Sequence, residues 1–251
     1  MLYKRISILL IILGFTFSFG QTYRLEYQFN NYIAVFGETR SLNTTLDYDE
    51  QTKESLYKVI LKDLNSKAEI KNSNVIVLDT EEIDNELVYS NFNTSEMVIQ
   101  TQIDIEMMLF TEKIPEIKWN LINESRTENN LKLNKATATF RGRNYTVWYT
   151  LDIPVNVGPW KLHGLPGAIV TVEEDKGRYS WQLTGFKKLE DSTIKNPLEN
   201  KSYKVKDIKD YPKLKFELSE RMIAKIKQIG VNATIPKRER SDLELKFEWE
   251  K

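Results

Sequence analysis

The 251-residue chain contains no cysteine, a single histidine and only ten glycines. The missing cysteine excludes disulfides, thiolate metal sites and a cysteine nucleophile together. One histidine cannot build a zinc centre, which takes three or more protein ligands, unless carboxylates supply the rest. A serine nucleophile would need His163 as its base, and no Gly-x-Ser-x-Gly elbow occurs in the chain. Glycine-rich phosphate loops and dinucleotide fingerprints are missing too, as is the strand-helix alternation that carries them. Asp47-Tyr48-Asp49-Glu50 lacks the glycine and distal glutamate of a calcium loop. No catalytic residue, metal or cofactor is therefore assigned.

An excess of charge of either sign is also lacking, with 36 basic and 36 acidic residues. The Lys-Arg-Glu-Arg run at 237–240 is short and mixed in sign, and no aromatic-interleaved basic stripe exists, so a nucleic-acid partner is not expected. A long apolar run occurs once, from Ile6 to Phe17, after Lys4 and Arg5 and before the small-x-small ending Ser18-Phe19-Gly20. That is the pattern of a secretory signal peptide over residues 1–20, cleaved before Gln21. The run is shorter than the roughly 20 residues a spanning helix needs, so no transmembrane segment is expected after cleavage. No cysteine follows it, which excludes a lipoprotein anchor. The expected location is the periplasm, the outer-membrane surface or the outside of the cell. Losing Lys4 and Arg5 leaves the mature chain near neutral.

What the sequence has in quantity is period-two alternation. Tyr23, Leu25, Tyr27 and Phe29 alternate with Arg24, Glu26 and Gln28, which places the apolar side chains on one face of a half-buried strand. Leu243, Leu245, Phe247 and Trp249 alternate with acidic and basic residues in the same way, predicting a terminal strand. Three hairpins are read between them: Leu87–Phe92 with Met97–Ile105, Lys135–Arg141 with Tyr145–Leu151, and Ala168–Glu173 with Arg178–Phe186. Met107–Thr111 and Ile117–Ile122 read as further short strands. Residues 50–80 are ambiguous between helix and strand. Ser219 as N-cap, Met222, Ile223, Ile226 and Ile229 on one stripe and Gly230 at the end predict a helix at about 219–230. Residues 187–215 read as a long loop or lid. The expected fold is mainly β: a curved antiparallel sheet, or a partly open barrel or sandwich, in one domain over 21–251.

Three of the chain's seven prolines and three of its ten glycines crowd into "PVNVGPWKLHGLPG", residues 154–167. Prolines 154, 159 and 166 interrupt any regular ladder, and Leu165-Pro166-Gly167-Ala168 has the Pro-Gly centre of a type II turn, with positive φ at Gly167. Such a loop is stiff. One reading makes it a site, with Trp148, Trp160 and His163 lining a pocket and Arg141 and Arg143 gripping an anion. The other makes Trp160, Leu162 and Leu165 a plug for the β core, with His163 merely hydrogen-bonded and the arginines solvated.

Residues 118–170 carry a resemblance. Gly164-Leu165-Pro166-Gly167-Ala168-Ile169, preceded by Gly158-Pro159-Trp160-Lys161, Trp148-Tyr149-Thr150, Ile153-Pro154, Gly142-Arg143 and Lys135-Ala136, resembles the GLPGLI family of exported Gram-negative proteins. The resemblance implies a family core at about 21–190 and leaves 191–251 as a C-terminal extension. Ala168 departs from the family's second leucine, and Leu133 stands where many members have cysteine. The family carries no assigned reaction, so it brings no catalytic role. Two functions stay open. One is a non-enzymatic envelope protein whose curved sheet, or an edge strand at either terminus, binds an outer-membrane or envelope partner or a small hydrophobic or peptidic ligand. The other is a carboxylate-dependent hydrolase of an extracellular polymer, marked by a cleft with two nearby carboxyls, one of them with a raised pKa.

Overall fold

The computed structural model describes residues 21–33, 37–60, 86–103, 106–191, 194–200, 202–217, 240 and 242–250. The signal peptide expected at 1–20, the helix expected at 219–230 and residues 61–80 of the ambiguous stretch lie outside the described residues. Among the described residues, twelve strands form one sheet: β1 (Thr22–Ile33), β2 (Glu38–Asp49), β3 (Glu54–Ile60), β4 (Leu87–Asn91), β5 (Glu96–Ile103), β6 (Glu106–Lys113), β7 (Asn120–Glu128), β8 (Leu131–Phe140), β9 (Arg143–Thr150), β10 (Ala168–Glu174), β11 (Tyr179–Leu189) and β12 (Lys204–Asp207). Their order is β12-β6-β5-β4-β3-β2-β1-β11-β10-β9-β8-β7. Every pairing is antiparallel except β12 on β6. The sheet is curved and open, with β7 and β12 at its edges, as the alternating strands and hairpins predict.

The alternation decides which side chains turn inward. Tyr23, Leu25, Tyr27 and Phe29 are all buried, and on β9 so are Tyr145, Val147 and Tyr149. The curvature is visible in contacts between distant strands. Trp181 of β11 donates from Nε1 to the Tyr57 hydroxyl of β3 at 3.0 Å, across two intervening strands. β6 and β8 stand at opposite ends of the strand order, about 40 Å apart were the sheet flat. Glu112 on β6 nevertheless touches Arg141, at the end of β8, at 2.7 Å. A bulge in β10 between Ile169 and Thr171 frees the Ile169 carbonyl to accept from the buried Tyr27 hydroxyl at 2.8 Å.

Two terminal expectations change. The N-terminal strand is not an edge, since β1 pairs with β2 on one side and β11 on the other. The segment Leu243–Trp249 is not a strand. The amides of Leu245 and Lys246 both donate to the one carbonyl of Arg141, and Phe247 and Glu250 form a turn, so no ladder develops. The buried positions are accordingly Glu244 and Phe247, and Leu245 is only half-buried. Alternation failed here because a buried cation, rather than a neighbouring strand, selects which side chain points in.

The 151–167 connection folds as a small hairpin pushed into the concave face. Val157 bridges His163, Gly158 N–H donates to the Leu162 carbonyl at 2.7 Å, and Leu162 N–H returns to the Pro159 carbonyl at 3.1 Å. Val155, Val157, Leu162 and Leu165 are buried by it. The expected type II turn at 165–168 is corrected: positive φ belongs to Gly164, at 90°, and not to Gly167. Gly167 is demanded by close approach, because a Cβ there would fall on the Thr150 carbonyl oxygen of β9. Gly167→Ala is therefore expected to lower stability by about 2–3 kcal/mol through a forced backbone shift, read as a fall in thermal midpoint. An unchanged midpoint would show that β9 and β10 part without loss.

The 194–203 segment covers the opposite face, where Leu56, Tyr89, Val98 and Leu109 pack with Ile194 and Tyr203. The chain then rounds the β6 edge through β12, and Ile208 and Tyr211 enter the main core at the start of α1 (Tyr211–Phe216). What reads in sequence as a loop over 187–215 is thus tied to both faces of the sheet.

Candidate functional site

The tip of the inserted hairpin is Pro159-Trp160-Lys161. Trp160 has a φ of 57°, a left-handed conformation unusual for a bulky residue, and this geometry carries both Trp160 and Lys161 into the interior. The Trp160 ring stacks beside Trp181 at 6.4 Å between centroids. A second left-handed pair, Arg141 at 49° and Gly142 at 80°, makes the two-residue turn joining β8 to β9. The C-terminal segment lies directly on that turn, so a Cβ on Gly142 would come within 3.0 Å of Leu245 Cβ.

These two turns bring a buried ionic cluster together. Arg141 donates from Nη2 to Glu112 at 2.7 Å, from Nη1 to Glu244 at 2.6 Å and from Nε to Glu248 at 2.9 Å. Lys161 Nζ donates to the other oxygen of Glu112 at 2.6 Å and to Oε1 of Glu244 at 2.8 Å. The side chains of Arg141 and Lys161 are each 1% exposed, Glu112 3% and Glu244 8%. The Arg141 guanidinium also lies 4.6 Å from the centre of the Phe247 ring. Burial pushes the Glu112 carboxyl up, but the charges and hydrogen bonds of Lys161 and Arg141 outweigh it and leave Glu112 below the usual glutamate range. In Glu244 burial wins, aided by repulsion from Glu112, and its carboxyl stays above that range despite the same two cations.

A cavity of about 110 Å³ opens beside this cluster on the concave face. Phe29, Val59, Val88, Ile99 and Trp181 form its apolar wall, and Lys161 and Glu244 line it together with the polar side chains of Glu86, Gln100, Thr101 and Lys215. Asp242 stands at the rim, where it accepts from the Tyr211 hydroxyl at 3.1 Å. A wider hollow of about 380 Å³ lies between Lys58 and Leu87 and the 195–203 segment. No charged cluster of comparable burial faces it among the described residues.

The residues read from sequence are distributed over the molecule. Arg141 lies in the cluster itself and Trp160 lines the cavity beside it. Arg143 is buried alongside, giving Nη1 to Glu174 at 2.7 Å and Nε to the Asp242 carbonyl at 3.0 Å. Both arginines therefore meet the protein's own acceptors. His163 accepts or donates at Nδ1 with the Lys161 carbonyl at 2.8 Å, and burial holds its imidazole below the ordinary histidine range against that bond. Its own carbonyl accepts from Trp119 Nε1 at 2.8 Å. Trp148 faces the other way, outside the concave side, with the Arg126 guanidinium 4.2 Å above its ring. Gly158, Pro159, Gly164, Leu165, Pro166 and Gly167 shape the inserted hairpin and its exit. Among the described residues, no three histidine, aspartate or glutamate side chains converge as metal ligands, and no helix is long and apolar enough to cross a membrane.

Glu112, Lys161 and Glu244 are not among the site residues expected from sequence. Glu112 had a signal, since Met108, Phe110 and Glu112 share the inward face of β6 by simple alternation. Lys161 had a weaker one, standing between Trp160 and Leu162. Glu244 had none, because its alternation pointed outward.

Residues 95–171 match the model of a family described as "Protein of unknown function (Porph_ging)". The match runs from β5 into β10, and so contains Glu112, Arg141, Arg143 and Lys161 but not Glu244. No curated protein matches the chain. Among solved structures, PNGF-II in its C2 and P21 space groups is similar, with TM-scores of 0.53 and 0.52 at 18% identity over 78% of this chain. The alignment spans 33% of the PNGF-II chain, and at this identity the likeness is one of fold.

Proposed function

We propose that this is an exported envelope protein that binds a ligand without transforming it, in the cavity between the concave sheet, the inserted hairpin and the C-terminal segment. The GLPGLI resemblance at 118–170 and the matched family at 95–171 are taken to be one and the same. The leader-like residues 1–20 support export. The observation that carries binding is the site's composition: an apolar, aromatic wall joined to polar side chains whose cations, Lys161 and Lys215, already have partners within the protein. The outer-membrane or other partner expected from sequence would dock elsewhere on the same molecule.

A hydrolase reading has one observation in its favour, two neighbouring carboxyls displaced in opposite directions. Their arrangement opposes it. Glu112 and Glu244 are bridged by the single ammonium of Lys161, where a glycosidase holds a sugar and a water. Native mass spectrometry of the mature protein purified from envelope extract tests the choice. A bound small molecule, lost when Ile99→Phe fills the cavity, is the expected result. An empty protein that cleaves an envelope polymer, with cleavage abolished in Glu244→Gln, would establish the hydrolase instead.

A further inference from the structure

The polar end of the cavity restricts what can occupy it, provided the cavity is a binding site as read above. Glu244 spends only Oε1 on Arg141 and Lys161, and its Oε2 has no hydrogen-bond partner among the described residues. The side chain is nonetheless 8% exposed and lines the cavity. Lys161 uses two of its three N–H donors, on Glu112 and Glu244. An incoming group thus meets a spare acceptor and a spare donor side by side. An ammonium would satisfy Glu244 but be repelled by Lys161 and Lys215, and a carboxylate would be held by those two cations but repelled by Glu244, Glu86 and Asp242, which line the same cavity. A purely apolar group would leave Glu244 Oε2 desolvated and unpaired.

We infer that the cavity selects an uncharged hydroxyl carried on a compact apolar ring, a phenol or cyclic alcohol, with the hydroxyl set between Glu244 Oε2 and Lys161 Nζ and the ring against Val88, Ile99 and Trp181. A hydroxyl both donates and accepts, so it pairs with Glu244 whether that carboxyl is ionised or protonated. The size agrees: a protein cavity of about 150 Å³ accommodates benzene, and this one, at about 110 Å³ and open at one side, takes a single ring with its far edge at the mouth.

The test is titration of the full mature protein with phenol, cyclohexanol, toluene, benzylamine and benzoate, followed by calorimetry and by the indole N–H resonances of Trp160 and Trp181. Phenol and cyclohexanol should bind about tenfold more tightly than toluene, the worth of one net hydrogen bond. They should shift the Trp181 resonance, and Ile99→Phe or Val59→Phe should abolish the shift. Benzylamine and benzoate should bind more weakly than either alcohol. Toluene binding as tightly as phenol in the same place would overturn the hydroxyl selection and leave the binding cavity standing. So would a preference for either charged probe. Failure of every probe, with a natural ligand still released on denaturation, would reject this chemical class alone. Failure of every probe from a protein that releases nothing would reject the binding cavity with it.

Discussion

Replacing Glu112 by glutamine is expected to destabilise the fold by about 3–5 kcal/mol, the loss seen when one partner of a buried ion pair is removed. Each carboxylate oxygen of Glu112 serves a different buried cation, Arg141 through one and Lys161 through the other. A glutamine can accept at one position only, and its amide would turn N–H groups toward the second cation. The direction of its titration says the same: the fold holds Glu112 below the usual range, so it favours the ionised form that glutamine cannot supply. For a chain of this length the thermal midpoint should fall by roughly 6–20 °C. Glu244→Gln should cost far less. Its environment pushes the carboxyl up and therefore disfavours the charge that the substitution removes, and Glu112 remains to hold both cations.

The two glutamates also bend the pH profile in opposite senses. Glu112, lowered by folding, contributes stability that is present above the ordinary glutamate range and is lost as pH falls through its folded pKa. Glu244, raised by folding, contributes stability that is present below that range and is lost as pH rises through its folded pKa. Urea denaturation from acid to neutral pH should show a shallower acid limb in Glu112→Gln and a shallower decline toward neutrality in Glu244→Gln. Equal losses in both variants with unchanged profiles would mean that the cluster shares its protons differently from this geometry.

Local pattern carried most of the architecture. The alternation in Tyr23–Phe29 and Tyr145–Tyr149 identified both the strands and their buried faces, and the short breaks between paired apolar runs located the three hairpins. Strand order was not legible, because pairing β1 with β11 joins residues about 150 positions apart, and nothing in either strand names its partner. Glycine was read for the wrong property at 167, where backbone proximity to Thr150 matters rather than φ. The ionic cluster was harder still. Its members come from a strand, a turn, an inserted loop and the C-terminal segment, and each in isolation resembles an ordinary surface charge. Glu112 alone broke its strand's pattern, as an acid on the Met108–Phe110 face, and a buried acid on an apolar face implies a buried cation opposite.

Deleting residues 240–251 is expected to lower the thermal midpoint by roughly 10–20 °C, because at least about 5 kcal/mol of interactions leave together. The segment contributes Glu244 and Glu248 to Arg141, Glu244 to Lys161, and the Asp242 carbonyl to Arg143. It also buries Phe247, 1% exposed, over the Arg141 guanidinium, worth about 2 kcal/mol in apolar area alone. Arg240 closes the segment on itself through paired bonds of 2.6 Å to Glu250, so it departs as a unit. The alternation at 243–249 would have made this a lost edge strand, with new aggregation along an exposed ladder. The structure locates the damage elsewhere. Hydrogen exchange should show protection lost at the β8–β9 turn, at the 157–163 hairpin and in β6, while the edges β7 and β12 exchange as before. Glu244→Gln combined with Glu248→Gln in the full chain separates the two contributions, since it keeps Phe247 in place and leaves Glu112 as the sole anion on the cations. If that double variant matches the deletion, the acids hold the segment down. If it stays close to the parent protein, Phe247 does, and the cations rely on Glu112 alone.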